Sequence, residues 1–271
     1  MKRVVITGAS GHLGKKLFDH LKNQEGFSVI GLDIRPNEAE GIYFSDFTEY
    51  NKQWIDLLDG ADVLVHLAAD REPDASWESA IKNNINGTMN LYQACKESGV
   101  KRVVFASSNW LHGGYRFTDD VLRSDLCPFP VNAYGVAKLF GERVGEYFSR
   151  FGGLSVVCMR IGWTQWTHDN QPGDHMAMGR WGQEMWLSDT DFLNGMQCAI
   201  EAENIQFEVL NLMSENEGMR WDISETTNKI GYVPNDKSHP NMSFKSKFKS
   251  LVYSIFVRKI PQFLEKRLYG W

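Results

Sequence analysis

Short, almost wholly apolar runs alternate along the first half of the chain with longer stretches in which apolar residues return every three or four positions. Val4-Val5-Ile6 is followed by a helical pattern over 13–23, then by Ser28-Val29-Ile30-Gly31-Leu32, Ile42-Tyr43-Phe44 and Val63-Leu64-Val65-His66-Leu67. A helical pattern over 78–98 leads to Val103-Val104-Phe105-Ala106, and another over 133–150 leads to Ser155-Val156-Val157-Cys158-Met159-Arg160. Runs without a polar face suit strands covered on both sides, and helices between consecutive strands require right-handed parallel crossovers. The expected fold is α/β, a Rossmann-type doubly wound parallel sheet with a small C-terminal cap. Its first unit is expected over 1–165. From about residue 162 the alternation gives way to a region rich in Trp, Met and Gly, so 166–242 is expected to form a smaller region partly interleaved with the sheet, and 243–271 a tail. No repeat, low-complexity tract or Pro/Gly-rich linker divides the chain further.

Composition narrows the class. With 42% hydrophobic and 23% charged residues the 271-residue chain can fill a core and stay dissolved, which excludes disordered and fibrous proteins and fits one domain with an appendage. Cys95, Cys127, Cys158 and Cys198 stand far apart with no CxxC pair, which argues against a disulfide scaffold or a zinc site. No metal is expected, since His168, Asp174 and His175 lack a regular ligand spacing and read as solvated loop residues. Met1 leads through Lys2 and Arg3 into the first run, and no stretch approaches the roughly 18 apolar residues of a membrane span, so a cytoplasmic protein is expected.

The net charge of −5 is unevenly spread. Residues 243–271 carry seven Lys or Arg against Glu265 alone, leaving 22 basic and 33 acidic side chains in the rest. So acidic a body is unsuited to nucleic acid. In the tail, Phe244, Phe248, Leu251, Val252, Ile255 and Phe256 read as a basic amphipathic helix interrupted before Pro261. It is expected to dock on the acidic body, or on a second copy in a homo-oligomer, in preference to a membrane surface.

The first candidate chemistry lies where a strand meets a helix, in the GxxGxxG loop Thr7-Gly8-Ala9-Ser10-Gly11-His12-Leu13-Gly14. Gly8 permits the turn, Gly11 admits a pyrophosphate to the backbone N–H groups, and Gly14 lets the helix pack on the strand. The helix N-terminus, with His12 and Leu13 in its first turn, then presents its positive dipole end to the phosphates. A dinucleotide site follows. Asp33, 19 residues past Gly14 at the end of the second strand, suits the adenosine ribose hydroxyls and repels a 2′-phosphate. NAD is therefore expected over NADP, a preference that Arg35 softens little. Asp46 and Phe47 are expected to clasp the adenine, Asp46 reading equally as a helix cap.

Tyr134 and Lys138, four positions apart in YGVAK, lie side by side on one helix face. An ammonium beside a phenol favours the phenolate, so Tyr134 is a candidate base toward an alcohol and Lys138 a candidate partner of the nicotinamide ribose. The pair follows the fifth strand, whose end supplies Ser107-Ser108-Asn109 at the carboxyl edge of the sheet, where ligands bind.

In this order, TGASGHLG, Asp33, HLAA (66–69), NINGT (84–88), FASSN (105–109), YGVAK (134–138) and MRIG (159–162) resemble the extended short-chain dehydrogenase/reductases, the NAD-dependent epimerase/dehydratase family, over residues 1 to about 165. The resemblance implies a catalytic triad of Ser108, Tyr134 and Lys138. It also implies Leu67, Ala68, Ala69 and Ile161 beside the cofactor, and Asn84 ordering the active-site helix and its water.

Dehydratases of that family resemble one another in an Asp-Glu pair after the catalytic Ser or Thr; Asn109 and Trp110 stand there here, so elimination of water is not expected. Nucleotide-sugar epimerases usually carry a longer C-terminal region, so a small free substrate is expected. FASSN, YGVAKLFGE, MRIG and an Arg upstream of WLSDTDF are similar to the uronate dehydrogenase-like group. That similarity implies oxidation of a free sugar or sugar acid at C1 to the lactone, with Tyr134 as base and Ser108 on the reacting oxygen. Asn109, Trp110, Arg71 and Arg180 are the candidate substrate residues, Arg180 for a carboxylate and Arg71 as a second cation for an anionic sugar. Trp110 and Arg71 depart from that group's polar His and small hydroxyl residue. Trp163, Trp166, Trp181 and Trp186 read equally as a sugar-stacking surface or as lid packing. The competing functions are an epimerase that returns the hydride and a non-catalytic dinucleotide-binding regulator.

Overall fold

A computed structural model describes residues 1–116, 118–167 and 169–238, together with positions 244, 248, 251 and 252. The expected tail helix therefore lies outside the described residues apart from those four positions, as do His168 and the side chain of Asp174.

Seven strands form one sheet: β1 Lys2–Thr7, β2 Phe27–Asp33, β3 Ile42–Phe44, β4 Val63–His66, β5 Arg102–Ser108, β6 Ser155–Ile161 and β7 Phe207–Leu212. Their order is β3-β2-β1-β4-β5-β6-β7, with every neighbouring pair parallel. The direction of strand addition reverses between β1 and β4, and that switch point opens a crevice at the strands' carboxyl ends.

Alternation along β1 divides the core in two. Val4 and Ile6 face helix α1 (His12–Lys22) through Leu17, Phe18 and Leu21. Val5 faces the other layer with Leu32, Trp54, Leu64, Leu91 and Phe105. On that second side lie α2 (Gly87–Glu97), entered through a wide π-helical turn over Ala80–Asn86, and α3 (Ala133–Gly152).

Small residues seat α3. A Cβ on Gly141 would fall 2.2 Å from Cζ of Phe105 in β5, and one on Gly145 would fall 2.6 Å from the Tyr92 hydroxyl of α2. The helix backbone thus presses on the sheet, and this contact sets the height of Tyr134 and Lys138 above the end of β5.

The sheet does not end at residue 165. Helix α4 (Asp189–Glu201) packs Phe192, Met196, Ala199 and Ile200 into the α1-side core, and β7 pairs with β6 from Val156↔Phe207 to Ile161↔Leu212. Residues 189–212 thus complete the sheet. Leu122, Trp181, Met185, Met213 and Trp221 form a small separate core. The edge strand β7 mixes polar with apolar residues: Glu208 pairs with Lys229, and buried Asn211 donates to the carbonyls of Leu122 and Asp222. Among the described residues no helix is long and apolar enough to cross a membrane.

Candidate functional site

A cleft of about 780 Å³ runs along the carboxyl edge of the sheet. Its walls are the glycine loop after β1, the ends of β2, β4 and β5, the start of α3, and residues 161–164 and 166 beyond β6.

One half is a backbone cradle. Gly8 has φ +71°, and a Cβ there would fall 2.7 Å from Ala68 N; a Cβ on Gly14 would fall 2.0 Å from Gly8 O. Helix α1 starts with no side-chain cap, which leaves its first amides facing the cleft beside His12, Leu13 and Gly14. The floor is tied by Thr7 Oγ1, which accepts from Leu67 N and Ala68 N at 3.2 Å each and bonds His66 Nδ1 at 2.8 Å. Burial, with Lys138 nearby, pushes His66 down to about 3, so it stays neutral. Asp33 accepts from Ser10 N (3.0 Å) and Arg35 N (2.9 Å), which holds its buried carboxylate at the end of β2. Asp46 and Phe47 also line the cleft, and Asp46 accepts from both the amide and the hydroxyl of Thr48, which closes a turn there; no helix starts at Asp46, so it is not a helix cap. A cradle that any Cβ would fill, an uncapped helix start and a fixed acceptor carboxylate fit a dinucleotide.

The other half brings Ser108, Tyr134 and Lys138 together with Asn109, Trp110 and Ile161. Ser108 ends β5 opposite Ile161 of β6. Asn132 caps α3 by accepting from Gly135 N at 2.7 Å, which starts the helix one residue before Tyr134. Lys138 Nζ lies 5.6 Å from the centre of the Tyr134 ring and 5.1 Å from that of Phe105. Burial pushes the Tyr134 phenol up to about 12; a hydrogen bond with the Ser108 hydroxyl pulls the other way, and the charges of Asp70 and Glu72 push up again. Burial also pushes Lys138 down to about 8. Desolvation thus works against the phenolate that the four-residue spacing favours, and both groups lean toward neutrality.

Behind Ser108 lies a buried network that pattern reasoning missed. Arg160 pairs bidentately with Glu142 at 2.9 Å through both contacts, Ser107 Oγ donates to Glu142 at 2.6 Å, and Arg160 Nη1 donates to His112 Nε2 at 2.8 Å. It joins β5, α3, β6 and the turn after β5. Its signal in the sequence was a lone arginine inside the apolar run of β6.

Several candidate residues sit elsewhere than expected. Asn84 is buried in the π-helical turn and does not line the cleft; its amide spends both ends on Asp70, accepting from N at 2.7 Å and donating to O at 2.8 Å. It thereby fixes the loop after β4. Arg180 is outside the cleft lining and pairs with Asp119 (2.9 Å) and Glu184 (3.3 Å). Trp181 and Trp186 are core residues, whereas Trp163 and Trp166 line the cleft. His175, expected in solvent, is buried, stacked on Trp163 at 5.5 Å and bonded to Gln165 at 2.7 Å, and burial pushes it down to about 4. Arg71 lines the cleft with its guanidinium 3.8 Å from the centre of the Trp166 ring. Among the described residues no group of three or more His, Cys, Asp or Glu is placed to hold a metal.

A family model described as NAD dependent epimerase/dehydratase family matches residues 4–164. An L-arabinose 1-dehydrogenase (NAD(P)(+)) of Haloferax volcanii is 33% identical over 88% of this chain and 98% of its own length. A uronate dehydrogenase of Pseudomonas putida is 30% identical over 87% of this chain and 85% of its own. The structure is similar to that of an Agrobacterium tumefaciens uronate dehydrogenase variant complexed with NAD, with a TM-score of 0.73 and 28% identity, over 88% of this chain and 86% of that one.

Proposed function

The chain belongs to the NAD dependent epimerase/dehydratase family and is an NAD-dependent sugar dehydrogenase, and we propose that it oxidises a free sugar at C1 to the lactone. The observation that carries this reading is the meeting of Ser108, Tyr134 and Lys138 in one cleft with the dinucleotide cradle. Ser108 and Tyr134, whose hydroxyls are close enough to influence each other's proton affinity, offer two hydroxyls between which the C1 hydroxyl of the sugar is held. Tyr134 accepts its proton. Lys138, one helical turn on and mostly protonated at neutral pH, stabilises the phenolate as it forms. When bound, NAD supplies the acceptor for the C1 hydride.

Charge in the cleft favours an uncharged aldose over a uronate. Arg180, the expected carboxylate partner, is engaged outside the cleft, while Asp70 and Glu72 lie close enough to Tyr134 to raise its pKa. The test is release of NADH from NAD⁺ across a panel of aldoses, uronic acids and phosphorylated or sulfonated sugars. Steady NADH with aldoses, lost in Tyr134→Phe while NAD still binds, is the expected result. Epimerisation without net NADH, or NAD binding with no turnover on any sugar, would overturn it.

A further inference from the structure

Trp166 is half-exposed, yet it is not packed into a core. Its ring lies 4.3 Å from the imidazole of His12 and 3.8 Å from the guanidinium of Arg71. Both groups pack against that one ring, so the three side chains form a single stack. The stack has a definite position in the fold. His12 opens α1 in the glycine loop after β1, and Arg71 belongs to the loop after β4. Trp166, from beyond β6, therefore bridges the two loops that flank the switch-point crevice, the place where a dinucleotide lays its pyrophosphate.

The bridge is anchored. Lys16 of α1 pairs with Asp189 of α4 at 2.5 Å and reaches the carbonyl of Gln165 at 3.5 Å, and the Gln165 amide bonds buried His175 at 2.7 Å. Burial and the nearby Lys16 push His12 down to about 4, so Arg71 is the cation of the stack. Its contact with Glu72 at 3.1 Å is an exposed pair of the kind that contributes little and yields readily to a doubly charged ligand.

We propose that Arg71 and Trp166, with His12, form a clasp over the cofactor's pyrophosphate, so that the charge of Arg71 serves the dinucleotide and not the sugar. The proposal rests on the NAD site and not on the identity of the sugar. A cation from the β4 loop faces the positive end of α1 across the anion, with the indole as the bar between them.

The test is equilibrium binding without sugar, so a failure of the dehydrogenase reading leaves its outcome intact. Affinities for NAD, ADP-ribose and adenosine are measured by calorimetry for the parent, Arg71→Met, Arg71→Lys, Trp166→Leu and Trp166→Phe, each checked for an unchanged melting temperature. Arg71→Met and Trp166→Leu are expected to weaken NAD and ADP-ribose about tenfold and adenosine less than about twofold, with partial recovery in Arg71→Lys and Trp166→Phe. Unchanged affinity for NAD and ADP-ribose overturns the proposal, whether or not the KM of the sugar moves. Equal weakening of all three ligands overturns it as well, since that would report a general disturbance of the site.

Discussion

Tyr134 and Lys138 share a desolvated wall, and each is pushed toward its neutral form, the phenol up to about 12 and the amine down to about 8. If activity needs phenolate beside ammonium, kcat/KM should rise about tenfold per pH unit while Lys138 keeps its proton. Above about pH 8 the gain in phenolate is offset by the loss of ammonium, so the profile should level off. A profile already flat from pH 6 would mean that the phenolate is preformed. Replacing Tyr134 by Phe removes the proton acceptor without disturbing the cradle, and turnover is expected to fall by about 100-fold or more with NAD affinity kept. The spacing of these residues is legible in the sequence because helical periodicity is local. Their electrostatics is not, because it depends on how much water the folded cleft excludes. Arg180 illustrates the same limit: its position in the chain suits a substrate carboxylate, and only the fold reveals Asp119 and Glu184 around it.

The elements are held in register by contacts that leave faint traces in the sequence. Valine at Gly141 would drive a Cβ to 2.2 Å from the Phe105 ring, so α3 must lift from β5. The expected cost is about 1–3 kcal/mol in urea unfolding, with kcat falling as Tyr134 moves away from Ser108 and NAD affinity little changed. Arg160→Met leaves Glu142 buried without its cation, and a loss of about 3–5 kcal/mol is expected from the same unfolding measurement. Strands β1 to β6 and their helices are legible because each carries a run of three or more consecutive apolar or aromatic residues or, in β2, an apolar run broken only by Gly31. β7 is obscured because, as the edge strand, it carries Glu208 and Asn211 among its apolar residues. The unit expected over 1–165 holds the glycine loop and the Ser-Tyr-Lys group, while the last strand of their sheet comes from 166–242, the region expected to interleave with it.

At the scale of the whole molecule, the walls of the cleft outside the glycine cradle come from segments far apart in the chain: the β4 loop at 69–73, the turn at 109–110, and residues 161–164 and 166. Their meeting is a property of the topology, which is why substrate class was the least legible feature of the sequence. With Arg71 serving the cofactor, Asp70 and Glu72 near enough to raise the phenol's pKa and Arg180 outside the cleft lining, kcat/KM for an aldose is predicted to exceed that for the corresponding uronic acid. Replacing Arg180 by Ala should leave that ratio unchanged, since its guanidinium lies outside the cleft lining. The most direct test of sugar oxidation at C1 uses an aldose carrying deuterium at that carbon. Transfer of the deuterium to NAD with appearance of the lactone, slowed relative to the protiated sugar, is the predicted result. Deuterium retained in a sugar epimer, or no reduced cofactor from any labelled aldose or uronate, would contradict it.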